Sequence, residues 1–161
     1  MKQAIPIYAN WPERLLAYLL DQLIVVLPIV LLAQPFIRES ASGEIIIDPA
    51  AYMVIFVVNL AYHSYCVASR WQATLGMRIL SMHVARIDGR PLKMRDAIER
   101  FLAFFLPQLP SYASFIPKEH ASILVVFLTI YWFSPILFRV DRMGMHDRLC
   151  GTRVLAGKVG L

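Results

Sequence analysis

The sequence predicts an all-α polytopic membrane protein. It has four transmembrane helices, the third broken by prolines, and a short cytoplasmic β-hairpin or strand-turn. Three observations predict this. Apolar residues make up 58% of the 161 and charged residues only 17%, where a soluble domain carries about 25% charged residues. The charge is absent from whole stretches rather than thinned evenly, as in segments that cross hydrocarbon. Fourteen of the sixteen Lys and Arg residues fall in three segments that alternating spans would put on one side of a bilayer. The length fits a single domain, residues 1–161. The net charge of +5 does not imply nucleic acid, because the basic residues flank apolar spans.

The first helix is predicted over 13–36, starting near Trp11–Glu13. Asn10 can cap it, Pro12 is tolerated in a first turn, and Tyr8 and Trp11 suit the headgroup level. The apolar run Leu15–Phe36 is longer than a signal-peptide core and contains Asp21, so it reads as a retained helix. Pro28 is expected to kink it and Pro35 to end it. A polar loop follows, in which the isoleucines between Glu44 and Asp48 suit an extended or interfacial piece.

The second helix is predicted over 50–69. Asn59, His63, Cys66 and Arg70 form one stripe on it, which either packs against a neighbouring helix or lines a pathway. Residues 70–96 form a cytoplasmic loop. In it, β-prone Ile79–Ile87 runs into the turn dipeptide Asp88-Gly89, giving a hairpin or strand-turn on the membrane surface. Its basic side chains would meet anionic lipid, each worth about 1 kcal/mol near the surface. Asp96 and Glu99 resemble a helix N-terminus.

The third span, 97–117, holds Pro107, Pro110 and Pro117, so helix geometry should break between Leu106 and Ser111. Either the break is a packed kink or early exit from the bilayer, or it marks a transport site. The fourth span is 121–138, and a basic tail follows over 139–161. Only Arg38 and Lys118 fall outside the three basic segments, so both termini are expected in the cytoplasm.

The candidate site is a polar network inside these spans. Arg14, Tyr18, Asp21, Gln22, Val25 and Pro28 share one helix face. Arg14 and Asp21 are separated by about 10 Å along the axis, too far to pair directly. A carboxylate at Asp21's depth costs on the order of 3 kcal/mol in hydrocarbon, so it must face protein or water. His63 lies as far from Arg70 as Asp21 does from Arg14. We therefore expect Asp21 and His63 to face each other, directly or through Asn59, Gln22 or a water, with Arg14 and Arg70 closing the column. His83, His120 and His146 are expected at surfaces or interfaces. Cys66 and Cys150 are expected as reduced thiols. No hydrolase elbow, phosphate loop, dinucleotide turn or zinc spacing is present, and MHDR lacks the second histidine of a metalloprotease helix. No enzyme activity, cofactor or metal is expected.

Three stretches resemble the RDD family of small integral membrane proteins. PERLLAYLLDQLI is similar to the family's R-x-x-A-x-x-x-D pattern through Arg14, Ala17 and Asp21. QATLGMRILSMHVARIDGRPL is similar to its T-x-G-[KR] stretch and Asp-Gly turn through Thr74, Gly76, Val84 and Asp88-Gly89. Met77 stands where the family often has a basic residue, so Arg78 carries that role or the register differs. GMHDRLCGTRVL is similar to its H-D-x-x-[AS]-G-T ending through His146, Asp147, Gly151 and Thr152, with Cys150 in place of the small residue. The resemblance implies a bacterial inner-membrane protein, with transport suggested for the family. Asp147 is then the second family aspartate, and we expect it to pair with Arg78 or Arg14.

Two functions are carried forward. One is an ion or small-solute transporter with Asp21 as its ionisable group, acting as a homo-oligomer because four helices are few for a pathway. The other is an accessory or assembly subunit of a larger envelope complex, with Arg14, Asp21 and Asp147 as a structural network.

Overall fold

The computed structural model describes residues 7–113 and 115–157. Helix α1 (Trp11–Ala33) starts at Asn10, whose backbone N–H donates to the Glu13 carboxylate at 2.9 Å. It continues as one α-helix through Pro28 and ends in a 3-10 turn at Gln34–Phe36. Strands β1 (Ile37–Glu39) and β2 (Ile45–Ile47) pair antiparallel as an exposed hairpin, with Arg38 opposite Ile46. The isoleucine run is therefore extended. Asp48 caps α2 (Pro49–Ala68) by accepting from the Ala50 N–H at 2.8 Å, and α2 packs against α1.

Helix α3 (Leu75–Ile79) is capped by Thr74 and presses on α1 at Gly76. A Cβ there would lie 2.2 Å from the Ala17 carbonyl oxygen, so only glycine permits the approach. Strand β3 (Met82–Arg86) follows and runs into a turn at Asp88-Gly89, so of the two expected forms it is the strand-turn and not the local hairpin. After that turn Pro91 has no N–H to give a ladder, and α4 begins at Met94. Strand β3 pairs instead with β4 (Thr152–Ala156), Met82 opposite Ala156 and Arg86 opposite Thr152. The segment before α1 joins the same edge, with the Ala9 N–H donating to the Val154 carbonyl at 3.2 Å.

Helix α4 (Met94–Phe105) passes at Leu106 into a 3-10 helix that runs to Tyr112. Pro107 has no N–H for the Ala103 carbonyl, and the Trp132 indole donates to that oxygen at 3.1 Å. Helices α5 (Lys118–Phe133) and α6 (Pro135–Phe138) follow, then α7 (Met145–Leu149).

Among the described residues three helical stretches are long and apolar enough to cross a membrane: Trp11–Phe36, Pro49–Ala68 and Lys118–Phe138. The stretch expected as a third span differs for a physical reason. Helix α4 carries Arg95, Asp96, Glu99 and Arg100, and its 12 α-helical residues extend about 18 Å, short of the ~30 Å hydrocarbon core. The buried apolar core lies beneath the β3–β4 pair, where Ala9, Ala17, Met82 and Val154 form one cluster and Val67, Val84, Leu92 and Ala97 another. Away from it the helices turn large apolar side chains outward, such as Leu23, Leu31 and Phe127, as suits hydrocarbon rather than water.

Candidate functional site

Two aspartates anchor the interior polar groups, and each is held differently. Asp21 is 1% exposed. Its Oδ1 accepts from the Tyr62 hydroxyl at 2.6 Å and from the Gly76 N–H at 2.8 Å. The same hydroxyl accepts from the Leu75 N–H at 3.2 Å, so the opening of α3 closes over the carboxylate. The tight Gly76–Ala17 approach is what brings those N–H groups within reach. Among the described residues Asp21 Oδ2 has no hydrogen-bond partner and no cation lies within ion-pair distance.

Asp147, in α7, is completely buried. Its Oδ2 accepts from Arg14 Nη1 at 3.1 Å and from the Gly144 N–H at 3.2 Å. Its Oδ1 accepts from Arg100 Nη1, which also donates to the Thr152 hydroxyl at 2.6 Å. Arg14 donates further to the carbonyls of Ala9 and Val154, each at 3.3 Å. This network ties α1, α4, α7 and β4 together. Burial alone would raise the Asp147 pKa, but the Arg100 and Arg14 guanidiniums override it and hold the carboxyl well below the usual carboxylate range. His146 is 3% exposed, with ring centroids 5.4 Å from Phe104 and 5.3 Å from Phe133. Burial pushes its pKa down to about 4 against the attraction of Asp147, so it is neutral at pH 7.

A half-open cavity of about 640 Å³ lies between the two clusters. Asp21, His63, Arg14 and Arg100 reach it from the polar side, and Tyr18, Phe104 and Phe133 supply apolar wall.

The structure brings Arg14 to Asp147, and places Asp21 and His63 on one cavity. Among the described residues it makes no direct hydrogen bond between Asp21 and His63. Tyr62 takes that position, and the His63 ring lies against Tyr62 and Phe101, with centroids 5.1 and 5.8 Å away. The reason is reach: the tyrosine hydroxyl extends past the imidazole to the carboxylate. Asn59 donates to the Ile55 carbonyl of its own helix, and Gln22 makes no hydrogen bond among the described residues. Arg70 is exposed, and Arg78 stacks over Trp71 at 4.7 Å. Neither closes a column, and Asp147 takes Arg100 in place of Arg78. His146 is buried rather than at a surface, because α7 tucks it beneath two phenylalanines. Arg100, Tyr62, Gly76 and Thr152 were not expected in the site from charge or periodicity. For Arg100 a signal exists: it stands one turn beyond Asp96 and directly before the apolar run FLAFFL, where a free charge is costly.

No solved structure matches the chain. A Bacillus subtilis (strain 168) protein, the uncharacterized protein YxaI, is 24% identical over 159 residues, covering 88% of this chain and 93% of its own. The RDD family model matches residues 8–151, from the segment before α1 to the turn into β4. The match spans both aspartates and Arg14, and the chain belongs to the RDD family of small membrane proteins.

Proposed function

We propose that the protein is a multi-pass transporter of a small ion or proton in the bacterial inner membrane, with Asp21 as the exchanging group. One observation carries the reading. Asp21 is fixed through Oδ1 by two donors, while Oδ2, unpartnered among the described residues, belongs to a side chain on a half-open cavity shared with His63. An ionisable group held this way inside a membrane helix is a candidate functional site by default, and an open carboxylate oxygen suits exchange of a proton or cation.

The crossing number is argued from strand pairing. Strand β3 follows α2, β4 follows α5 and α6, and the two strands pair, so α2 and the α5–α6 stretch end on one face. Helix α5 then begins on the opposite face, and residues 94–112 travel that depth as α4 plus the 3-10 helix. Four crossings follow, with both termini on the face that carries most of the basic residues, the cytoplasmic one. Anionic lipid is the partner of that face. Four helices enclose little, so the working unit is a homo-oligomer. Binding and release suffice, and no enzymatic step or cofactor is required.

A second reading, an accessory subunit of a larger membrane complex, is favoured by the Asp147 network, which has the character of a structural clamp. Vesicles containing purified protein and an internal pH indicator separate the two. Wild-type protein should carry a proton or cation flux that Asp21→Asn and Asp21→Leu both abolish. Wild-type flux no greater than in protein-free vesicles, or full flux in Asp21→Asn, would overturn transport.

A further inference from the structure

The cavity has a polar end and an apolar body, and it opens sideways. Arg14 and Arg100 line it near the β3–β4 sheet, and Tyr18, Phe104, Thr129 and Ile130 line it deeper, where Asp21 and His63 also reach one side. Helices α1 and α5 both form its wall but barely touch each other. Their outward faces are apolar, with Leu15, Leu19, Phe127 and Ile130 exposed. A molecule entering between them therefore comes from the bilayer.

The polar end is not electrically satisfied. Asp147 is shared by two guanidiniums, so the cluster carries one net positive charge at neutral pH. Arg100 is 8% exposed and uses only Nη1, for Asp147 and Thr152. Among the described residues its Nε and Nη2 have no partner, and the side chain reaches the cavity. A guanidinium edge with two free donors fits two oxygens of a phosphate.

We propose that this cavity binds one anionic phospholipid from the cytoplasmic leaflet, its phosphate on Arg100 and one acyl chain along Tyr18, Phe104 and Ile130. The orientation follows from the fold. The arginines lie at the end from which α1 starts, and Asp21 lies about 10 Å deeper along α1, so headgroup and chain run as they do in the leaflet. A zwitterionic lipid brings its own cation and gains less from the positive cluster. This site goes beyond the general attraction of surface basic residues to anionic lipid, and it stands whether or not the protein transports an ion.

Native mass spectrometry of the delipidated protein in neutral detergent, titrated with phosphatidylglycerol, phosphatidylcholine of the same chains, or oleate, tests it. We expect one phosphatidylglycerol per chain, bound at least tenfold more tightly than phosphatidylcholine. Arg100→Gln should erase that preference. Because Arg100 also holds Asp147, Thr129→Trp is the second variant: it fills the cavity without touching the network and should weaken phosphatidylglycerol at least tenfold. Arg95→Gln, on the exposed face of α4, should leave binding unchanged. Equal binding of the two phospholipids, unchanged binding in Thr129→Trp, or binding of oleate alone would overturn the assignment.

Discussion

Arg14 and Asp147 are 133 positions apart in the chain and 3.1 Å apart in space. The carboxylate that receives Arg14 also receives Arg100, so two guanidiniums depend on one buried anion. Asp147→Asn removes that anion while keeping the shape, and leaves two charges without compensation. Breaking a buried pair from one side costs about 3–5 kcal/mol. We expect a large fall in melting temperature in detergent, or loss of the folded protein. Arg14→Gln should cost less, because Arg100 still neutralises the carboxylate. Thermal unfolding of the two variants side by side checks the order.

His146 makes stability depend on pH. Its folded-state pKa, about 4, lies below the ordinary 6.5, so between those values the unfolded chain holds a proton that the folded chain does not. Stability therefore falls as pH falls from about 6.5 to about 4, by about 3 kcal/mol in total. Asp147 has linkage of the same sign in a more acidic window. Its depressed pKa contributes stability above the unfolded carboxylate value, and that contribution is lost only at more acidic pH, so the two windows separate. The groups facing His146 are Asp147, Arg100 and Arg14, with Phe104 and Phe133 covering the ring. His146→Phe should flatten the slope between pH 6.5 and 4 relative to wild type in denaturation measured across that range.

Trp132 and Pro107 should be thermodynamically coupled. Trp132→Phe leaves the Ala103 carbonyl without a donor, a loss of about 1–3 kcal/mol. Pro107→Ala supplies an N–H four residues beyond that carbonyl, which is the ordinary helical partner. We expect Trp132→Phe to cost clearly less stability in the Pro107→Ala background. Equal costs in a double-mutant cycle would show that the indole bond is not what replaces the missing helical one.

The proposed four crossings predict which side each loop faces. In a protein freed of Cys66 and Cys150, a cysteine at Ser42 should react with an impermeant maleimide from outside intact cells. One at Arg90 should react only after the membrane is opened. Both positions are exposed in the structure. Labelling of position 90 from outside would reverse the orientation and the assignment of the basic face to the cytoplasm.

The parts of this molecule that were legible in the sequence are those set by neighbours in the chain. The apolar run of α1 gave the helix and the burial of Asp21, Asn10 with Pro12 gave its start, and Pro107 with Pro110 gave the change of geometry after Phe105. The site was legible only in outline. Helical periodicity put His63 in one stripe with Asn59 and left Tyr62 aside, but it carries no information about side-chain length, and the longer hydroxyl reached Asp21. Positive charge alone does not distinguish an exposed surface arginine from the buried Arg100, whose partner lies 47 positions away. The pairing of β3 with β4 is also non-local: Asp88-Gly89 makes a turn, and nothing within the strand names the distant partner.

The Arg14 network also bears on biogenesis. Of the three acceptors of this guanidinium, one lies at Ala9, but the other two, Asp147 and Val154, are made 133 and 140 residues after it. Helix α1 must therefore enter the bilayer before most of the polar partners of its first turns exist. During that interval Arg14 depends on the headgroup region, and Asp21 waits for Tyr62 and Gly76. The first helix is inserted early but seated late, and the nascent chain has a protracted stage in which polar residues in its leading span are open to quality-control proteases. Membrane-inserted chains that stop before Asp147 should therefore be degraded faster than chains that reach Ala156.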